Sequence, residues 1–288
     1  MMFLAQLRNE LYKMFARKRT YIGFGAFIAA HVLILGLLHL PQAKRGIMRQ
    51  IRLASIFITD PESYFGGLTL GVLVMGISFG LLAALYISLV AGDIVAKESE
   101  DGTLRMILCR PITRLRLLTV KWLACLIYTF VLVMFLAASA LLISTAFRGG
   151  LGRLFMIVPQ EGLRVTYETG EGLARFGVAI LCLSYSALVI GSVGFMFSCF
   201  RMKPAAATIL TLSVFFVDFV LVRMRDLMPY LEPYRQWFIT THTSSWMRAF
   251  DYDPPWESIA WSWTYLLAVH VVCFTIGVAG FYRRDLKG

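Results

Sequence analysis

Residues 120–147 read VKWLACLIYTFVLVMFLAASALLISTAF, with one charge, Lys121, at the edge of an otherwise uncharged apolar run. At about 1.5 Å per helical residue, such a run is long enough to cross a hydrocarbon core of about 30 Å, with tilt to spare. Five further runs share its character, at roughly 21–40, 66–92, 176–200, 205–222 and 259–281. Backbone polar groups in lipid must be satisfied within their own segment, so these runs are expected to be helices. No alternating ten-residue pattern suggests a barrel. The expected fold is an all-α polytopic membrane protein, a single domain over 1–288 with six spans.

Composition agrees. The chain is 58% hydrophobic and 16% charged, with mean hydropathy +0.71. Soluble domains sit nearer half apolar and a quarter charged. The net charge of +11 does not point to nucleic acid, because the Lys and Arg residues fall in short stretches between apolar runs. There they govern topology and meet anionic headgroups. Sixteen of them lie on the side of both termini and 12 on the other, which predicts cytoplasmic termini in a cell (inner) membrane. Cys109, Cys125, Cys182, Cys199 and Cys273 make no CxxC pair and read as small hydrophobes rather than a disulfide frame.

Before the first span, residues 3–19 carry Phe3, Leu4, Leu7, Leu11, Met14 and Phe15 at helical spacing, with basic residues opposite. This pattern predicts an amphipathic helix lying in the membrane interface. Three segments are expected on the outer side. Residues 41–65 hold a second amphipathic stretch (Ile47, Ile51, Ala54, Ile58), residues 148–175 are polar and Gly-rich, and residues 223–258 are Pro-rich. Short surface helices are expected there, with Trp237, Trp246, Trp256, Trp261 and Trp263 as an interfacial belt.

The polar chemistry gathers between spans two and three, in Gly92-Asp93-Ile94-Val95-Ala96-Lys97-Glu98-Ser99-Glu100-Asp101-Gly102-Thr103-Leu104-Arg105-Met106-Ile107-Leu108-Cys109-Arg110-Pro111-Ile112-Thr113-Arg114. Gly102 suits a helix end and Thr103 a cap for the next turn. Leu104, Ile107 and Leu108 fall on one face of that turn, Pro111 stops it, and Thr113 is placed to cap the helix that continues into span three. A knob with an apolar face and an acidic flank (Glu98, Glu100, Asp101) is a shape that a cytosolic partner could receive in a groove.

The run Glu-Ser-Glu-Asp-Gly-Thr-Leu, followed by Leu108, Pro111, Arg114 and Lys121, resembles the signature loop of ABC-2-type transporter permeases. In that family an E-x-E-x-G-T stretch lies between spans two and three, followed by Pro-x-x-Arg and a Lys opening span three. The basic interfacial helix, six spans and short basic tail fit the same pattern. The resemblance implies a type V exporter fold in which two permease copies, identical or related, associate about a two-fold axis. Each would dock on a separate cytoplasmic ABC ATPase through this loop, acting as a coupling helix, with Glu98, Glu100, Gly102, Thr103, Leu104, Leu108, Pro111 and Arg114 at the motor contact. The chain has no G-x-x-x-x-G-K-[ST] phosphate loop, so ATP would be bound by the partner and no cofactor by this chain.

Other polar residues offer less. His31, His39 and His270 lack the spacing of a zinc set, and no metal site is expected. Asp218 is the sole carboxylate within the runs. It suits either an ion pair with Arg223 or Arg225 near the outer surface or a place in the translocation path. Gly67-x-x-x-Gly71 and Gly76-x-x-x-Gly80 predict close helix packing in span two, which the resemblance would place, with span five, near the substrate path. The alternative is a membrane-embedded enzyme acting on lipids or peptides. It would need polar side chains converging at membrane depth, and the sequence offers one Asp with scattered His and Ser.

Overall fold

A computed structural model describes residues 2–54, 61–109, 112–157, 164–224 and 229–284. Among these described residues six helices are long and apolar enough to cross a membrane, and each begins or ends beyond the apolar run that announced it. The first is α2, Lys18–Leu38. The second is continuous through α4 (Gly67–Ser78), a π-helical turn at Phe79–Ala83 and α5 (Ala84–Glu100). The others are α7 (Arg114–Arg148), α8 (Thr169–Ser198), α9 (Pro204–Met224) and α11 (Trp256–Tyr282). Around them lie α1 (Met2–Phe15), α3 (Pro41–Ala54), the short α6 (Thr103–Leu108) and α10 (Ile239–Thr243).

The bundle is organised around α8, which packs against spans two, three, five and six. Two-thirds of its apolar window is buried, against about a tenth for α9, which sits at the periphery. Apolar contact distinguishes poorly between helix neighbours in lipid, so interhelical hydrogen bonds and small residues fix the pairing. Trp122 Nε1 donates to Ser192 Oγ at 3.0 Å, and Ser192 Oγ lies 2.8 Å from His270 Nδ1, linking spans three, four and six. His31 Nδ1 lies 3.3 Å from Ser139 Oγ, and Tyr86 donates to the Thr20 carbonyl at 3.2 Å, so span one is held to three and two. His31 and His270, both buried, thus bridge helices. Among the described residues no group of His, Cys, Asp and Glu could hold a metal ion.

Span two approaches span three closely at its N-terminal end. A Cβ on Gly67 would sit 2.7 Å from the Gly150 carbonyl oxygen and 2.8 Å from Thr145 Cα, both backbone atoms. Gly71 faces Leu141 Cα at 3.3 Å and Gly76 faces the Trp246 ring at 3.6 Å, but nothing lies within 4 Å at Gly80. Only part of the small-residue pattern therefore marks close backbone approach. Gly67→Val is expected to destabilise the protein by about 1–3 kcal/mol through overpacking. Gly80→Ala should be neutral or stabilise by roughly 0.5 kcal/mol through helix propensity. Thermal melts in one detergent compare the two directly; equal melting temperatures would refute the assignment.

Among the described residues, segments 41–65 and 223–258 form the expected short helices (Pro41–Ala54, Pro61–Tyr64, Pro229–Trp237, Ile239–Thr243 and Ser244–Phe250), and only segment 148–175 departs from them. Leu154–Ile157 (β1) and Arg164–Tyr167 (β2) form an antiparallel ribbon in which Leu154 pairs with Tyr167 and Ile157 with Arg164. Val165, Thr166 and Tyr167 are residue types that suit extended backbone. Thr69 fixes the ribbon to span two, accepting from the Phe155 amide at 2.8 Å and donating to the Arg153 carbonyl at 3.2 Å. Trp246 is also not a belt residue. It is 3% exposed, in a 3₁₀ turn over Ser244–Phe250 that packs on α8, whereas Trp237, Trp256, Trp261 and Trp263 remain exposed. Ile58 lies outside the described residues.

Candidate functional site

The segment between spans two and three folds as two helices separated by a tight turn. Asp101 ends α5, its amide bonded to the Lys97 carbonyl at 2.9 Å, and Gly102 follows at φ +71°. That left-handed backbone favours glycine, as at many helix C-termini. Thr103 opens α6. Its hydroxyl donates to the Glu98 carbonyl at 3.2 Å and ties the new helix to the old one. Thr113 does cap α7, accepting from the Arg116 amide at 3.3 Å. Pro111 lies outside the described residues, as does the side chain of Leu108.

The expected apolar outward face is reversed where it can be seen. Leu104 is 2% exposed and belongs to the core, while Met106 is 66% exposed. A six-residue helix makes few internal bonds and needs tertiary packing to persist. Its Leu104 face supplies that packing, leaving Glu100, Asp101, Gly102 and Met106 presented outward. Between α6, α1 and the start of α7 lies a groove of about 440 Å³ lined by Gln6, Asn9, Thr103, Met106, Ile112 and Leu117, among others.

Glu98 is not part of the exposed flank. Its side chain turns inward and meets Lys121 Nζ at 2.8 Å. The ammonium of Lys121 has no exposed surface and also donates to Glu10 Oε2 of α1 at 3.0 Å. Glu10 in turn pairs with Lys13 at 2.8 Å, and Lys13 reaches Glu98 at 3.7 Å. Two carboxylates and two ammonium groups thus bind the N-terminal helix, the end of span two and the start of span three into one unit. Burial by itself would raise the Glu10 carboxyl, but Lys121 and Lys13 outweigh it and hold the group below its ordinary 4.5. Burial also works against the Lys13 charge, yet bonding to Glu10 and the nearby Glu98 hold it above 10.5. Arg116 extends the attachment by donating to Gln6 Oε1 at 3.0 Å, and Arg114 lies over the Tyr282 ring at 5.9 Å.

Sequence reading missed Glu10, Lys13 and Gln6. One signal was present: an ammonium opening an apolar span demands a carboxylate, and Glu10 is the sole acidic residue of α1.

The sequence model of the family described as ABC-2 family transporter protein matches residues 7–286. The chain belongs to this family. It is also 25% identical over 126 residues to the uncharacterized protein YhcI of Bacillus subtilis (strain 168). That match covers 42% of this chain and 39% of the relative, well under two-thirds of its length. Membership of the ABC-2 family and six membrane-crossing helices make this chain a multi-pass membrane component of a transporter.

Asp218 of α9 is bound by backbone amides. Its two carboxylate oxygens accept from the amides of Ile239 (3.1 Å) and Thr240 (2.6 Å), at the start of α10. Arg223 lies instead over the Phe219 ring at 5.4 Å, and Arg225 lies outside the described residues. The carboxylate therefore anchors the start of α10 to span five. Asp218→Ala is expected to cost about 1–2 kcal/mol, the range for a lost helix cap, with transport intact at a permissive temperature. Loss of transport with an unchanged melting temperature would instead put Asp218 in the path.

Proposed function

We propose that this chain is the permease of an ABC exporter, one of a pair of subunits forming the translocation path, each driven by a separate cytoplasmic ATPase seated on α6. The observation that carries the reading is the junction of α5 and α6. It presents Glu100, Asp101, Gly102 and Met106 to a partner while the residues behind them are fastened to three helices.

A coupling element has to be exposed enough to be gripped and stiff enough to transmit the push. Leu104 and the Thr103–Glu98 bond hold α6 to α5, and Lys121 and Glu10 join α5 to α7 and α1. Displacement of α6 would therefore move spans two and three together with the interfacial helix. Span two also meets span five closely, since a Cβ on Gly92 would lie 2.7 Å from Thr208 Oγ1 and 3.0 Å from its amide nitrogen. Movement at the docking segment would pass along that contact. Phe216 and Val217 of α9, like Leu81 of span two, are more than half exposed, which suits a hydrophobic or amphipathic cargo.

The test uses a native probe. Cys109 follows α6 and is exposed, whereas the other four cysteines are buried. A membrane-impermeant maleimide is expected to label the wild type in inside-out vesicles but not in intact cells, with Cys109→Ser abolishing the signal. A cytosolic ABC ATPase should copurify in mild detergent. Labelling of Cys109 in intact cells would put the segment on the outer side and end the proposal.

A further inference from the structure

On the same end of the bundle as α6, three chain segments surround a second opening, of about 340 Å³. They are the end of α5 (Ser99, Glu100), the loop between α8 and α9 (Arg201, Lys203) and the residue after α11 and its C-cap (Arg284). Arg284 is fixed in place, donating to the Cys199 carbonyl at 3.0 Å and to Ser99 Oγ at 3.2 Å. Burial holds this guanidinium below its ordinary value, and the neighbouring Arg201 adds to the effect against an opposing influence of Cys199. Arg201 and Lys203 are exposed, and among the described residues no carboxylate lies within ion-pair distance of either, or of Arg284. Among the described residues Glu100 is the sole acidic one lining the opening, so three cations face one carboxylate there.

Depth decides what such a site meets. It is framed where α5, α8 and α11 end and α9 begins, and the core residues Cys199 and Phe281 lie beside it. At that level the hydrocarbon gives way to headgroups, and basic pockets between spans are suited to anionic lipid phosphate. We propose that Arg201, Lys203 and Arg284 bind the phosphate of an anionic lipid headgroup between the ends of spans two, four, five and six. Arg284 supplies a fixed fork, matched to phosphate oxygens, and the two exposed side chains close over it. A bound lipid would tie the α8–α9 loop to the end of span two. The inference uses neither the ATPase nor the direction of transport, so it stands or falls apart from the exporter reading.

The experiment titrates the purified full chain in neutral detergent with phosphatidylglycerol, phosphatidylcholine or inorganic phosphate, and reads the rise in melting temperature. Phosphatidylglycerol should stabilise the wild type more than phosphatidylcholine. Its apparent affinity should fall about tenfold or more in Arg201→Gln/Lys203→Gln, two exposed positions whose change should not prevent folding. Arg45→Gln/Arg49→Gln removes the same charge from the exposed face of α3 and should leave the affinity unchanged. Three outcomes would overturn the proposal: equal response to the two lipids, equal loss in both double variants, or displacement of the lipid by inorganic phosphate. A double variant that binds lipid normally but no longer retains an ATPase would make the opening a protein dock, and would overturn it too.

Discussion

Lys121→Met is expected to destabilise the protein by about 3–5 kcal/mol, the cost of breaking a buried ion pair from one side, and to release the N-terminal helix. The ammonium has no exposed surface and contacts Glu10 at 3.0 Å and Glu98 at 2.8 Å. Both carboxylate side chains are about a tenth exposed. Without Lys121 they face each other with only the half-exposed Lys13 to answer two negative charges. Separation of α1 is the simplest relief, because α1, at 14 residues, is not itself a membrane-spanning helix. Melting in detergent reads the first effect, and faster tryptic cleavage at Lys13 or Arg17 the second. Glu10→Gln/Glu98→Gln/Lys121→Met, which leaves no charge to strand, should recover much of the loss, since an ion pair replaced as a whole is often nearly neutral. A single variant as stable as wild type would show that the network does not hold the helix.

The same network gives a pH dependence with a defined sign. Glu10 is depressed below 4.5, so its contribution is complete above that value and is lost as pH falls through its lower folded value. Lys13 is raised above 10.5, so its contribution is complete below that pH and is lost only as pH rises through its folded value. Lys13 is nearly half exposed and solvent screens its share. Attachment of α1 should therefore be flat across neutral pH and fail first in acid.

What the sequence disclosed follows the range of the forces involved. Span existence is a matter of local composition, and all six apolar runs became helices, though α7 began six residues early because Thr113 offers a cap ahead of the apolar stretch. Periodicity also located α6; what it could not give was the direction in which Leu104 points. An apolar stripe on a short helix reads alike whether it meets a partner or the protein's own core. Burial of Leu104 was settled by packing beyond the segment. Glu98 had the same ambiguity, resolved by Lys121 and by Glu10, a residue far away in the chain. Asp218 found backbone amides 21 and 22 residues onward, a partner type with no side-chain signature. Of the expected motor-contact set, the structure leaves Glu100 and Gly102 outward and turns Glu98 and Leu104 inward.

That division separates two effects that a single loop-wide deletion would confuse. Asp101→Lys/Met106→Glu alters only outward-facing positions, and its stability should stay within about 0.5 kcal/mol of wild type, as for surface substitutions away from special features. A lysine at the end of α5 even complements the helix dipole. If an ATPase seats here, however, the double variant places a new positive charge and a desolvated carboxylate in the contact. Like-charge or unpaired groups at an interface cost several kcal/mol, and about 1.4 kcal/mol is already a tenfold loss of binding. ATPase retention and transport are thus expected to fall at least about tenfold with the melting temperature unchanged. Glu98→Gln should do the opposite in order: it weakens the hold on Lys121 first, so melting drops before coupling is assayed. Transport that survives Asp101→Lys/Met106→Glu intact would mean that the motor grips some other surface, because no buried residue could take over a contact made from outside.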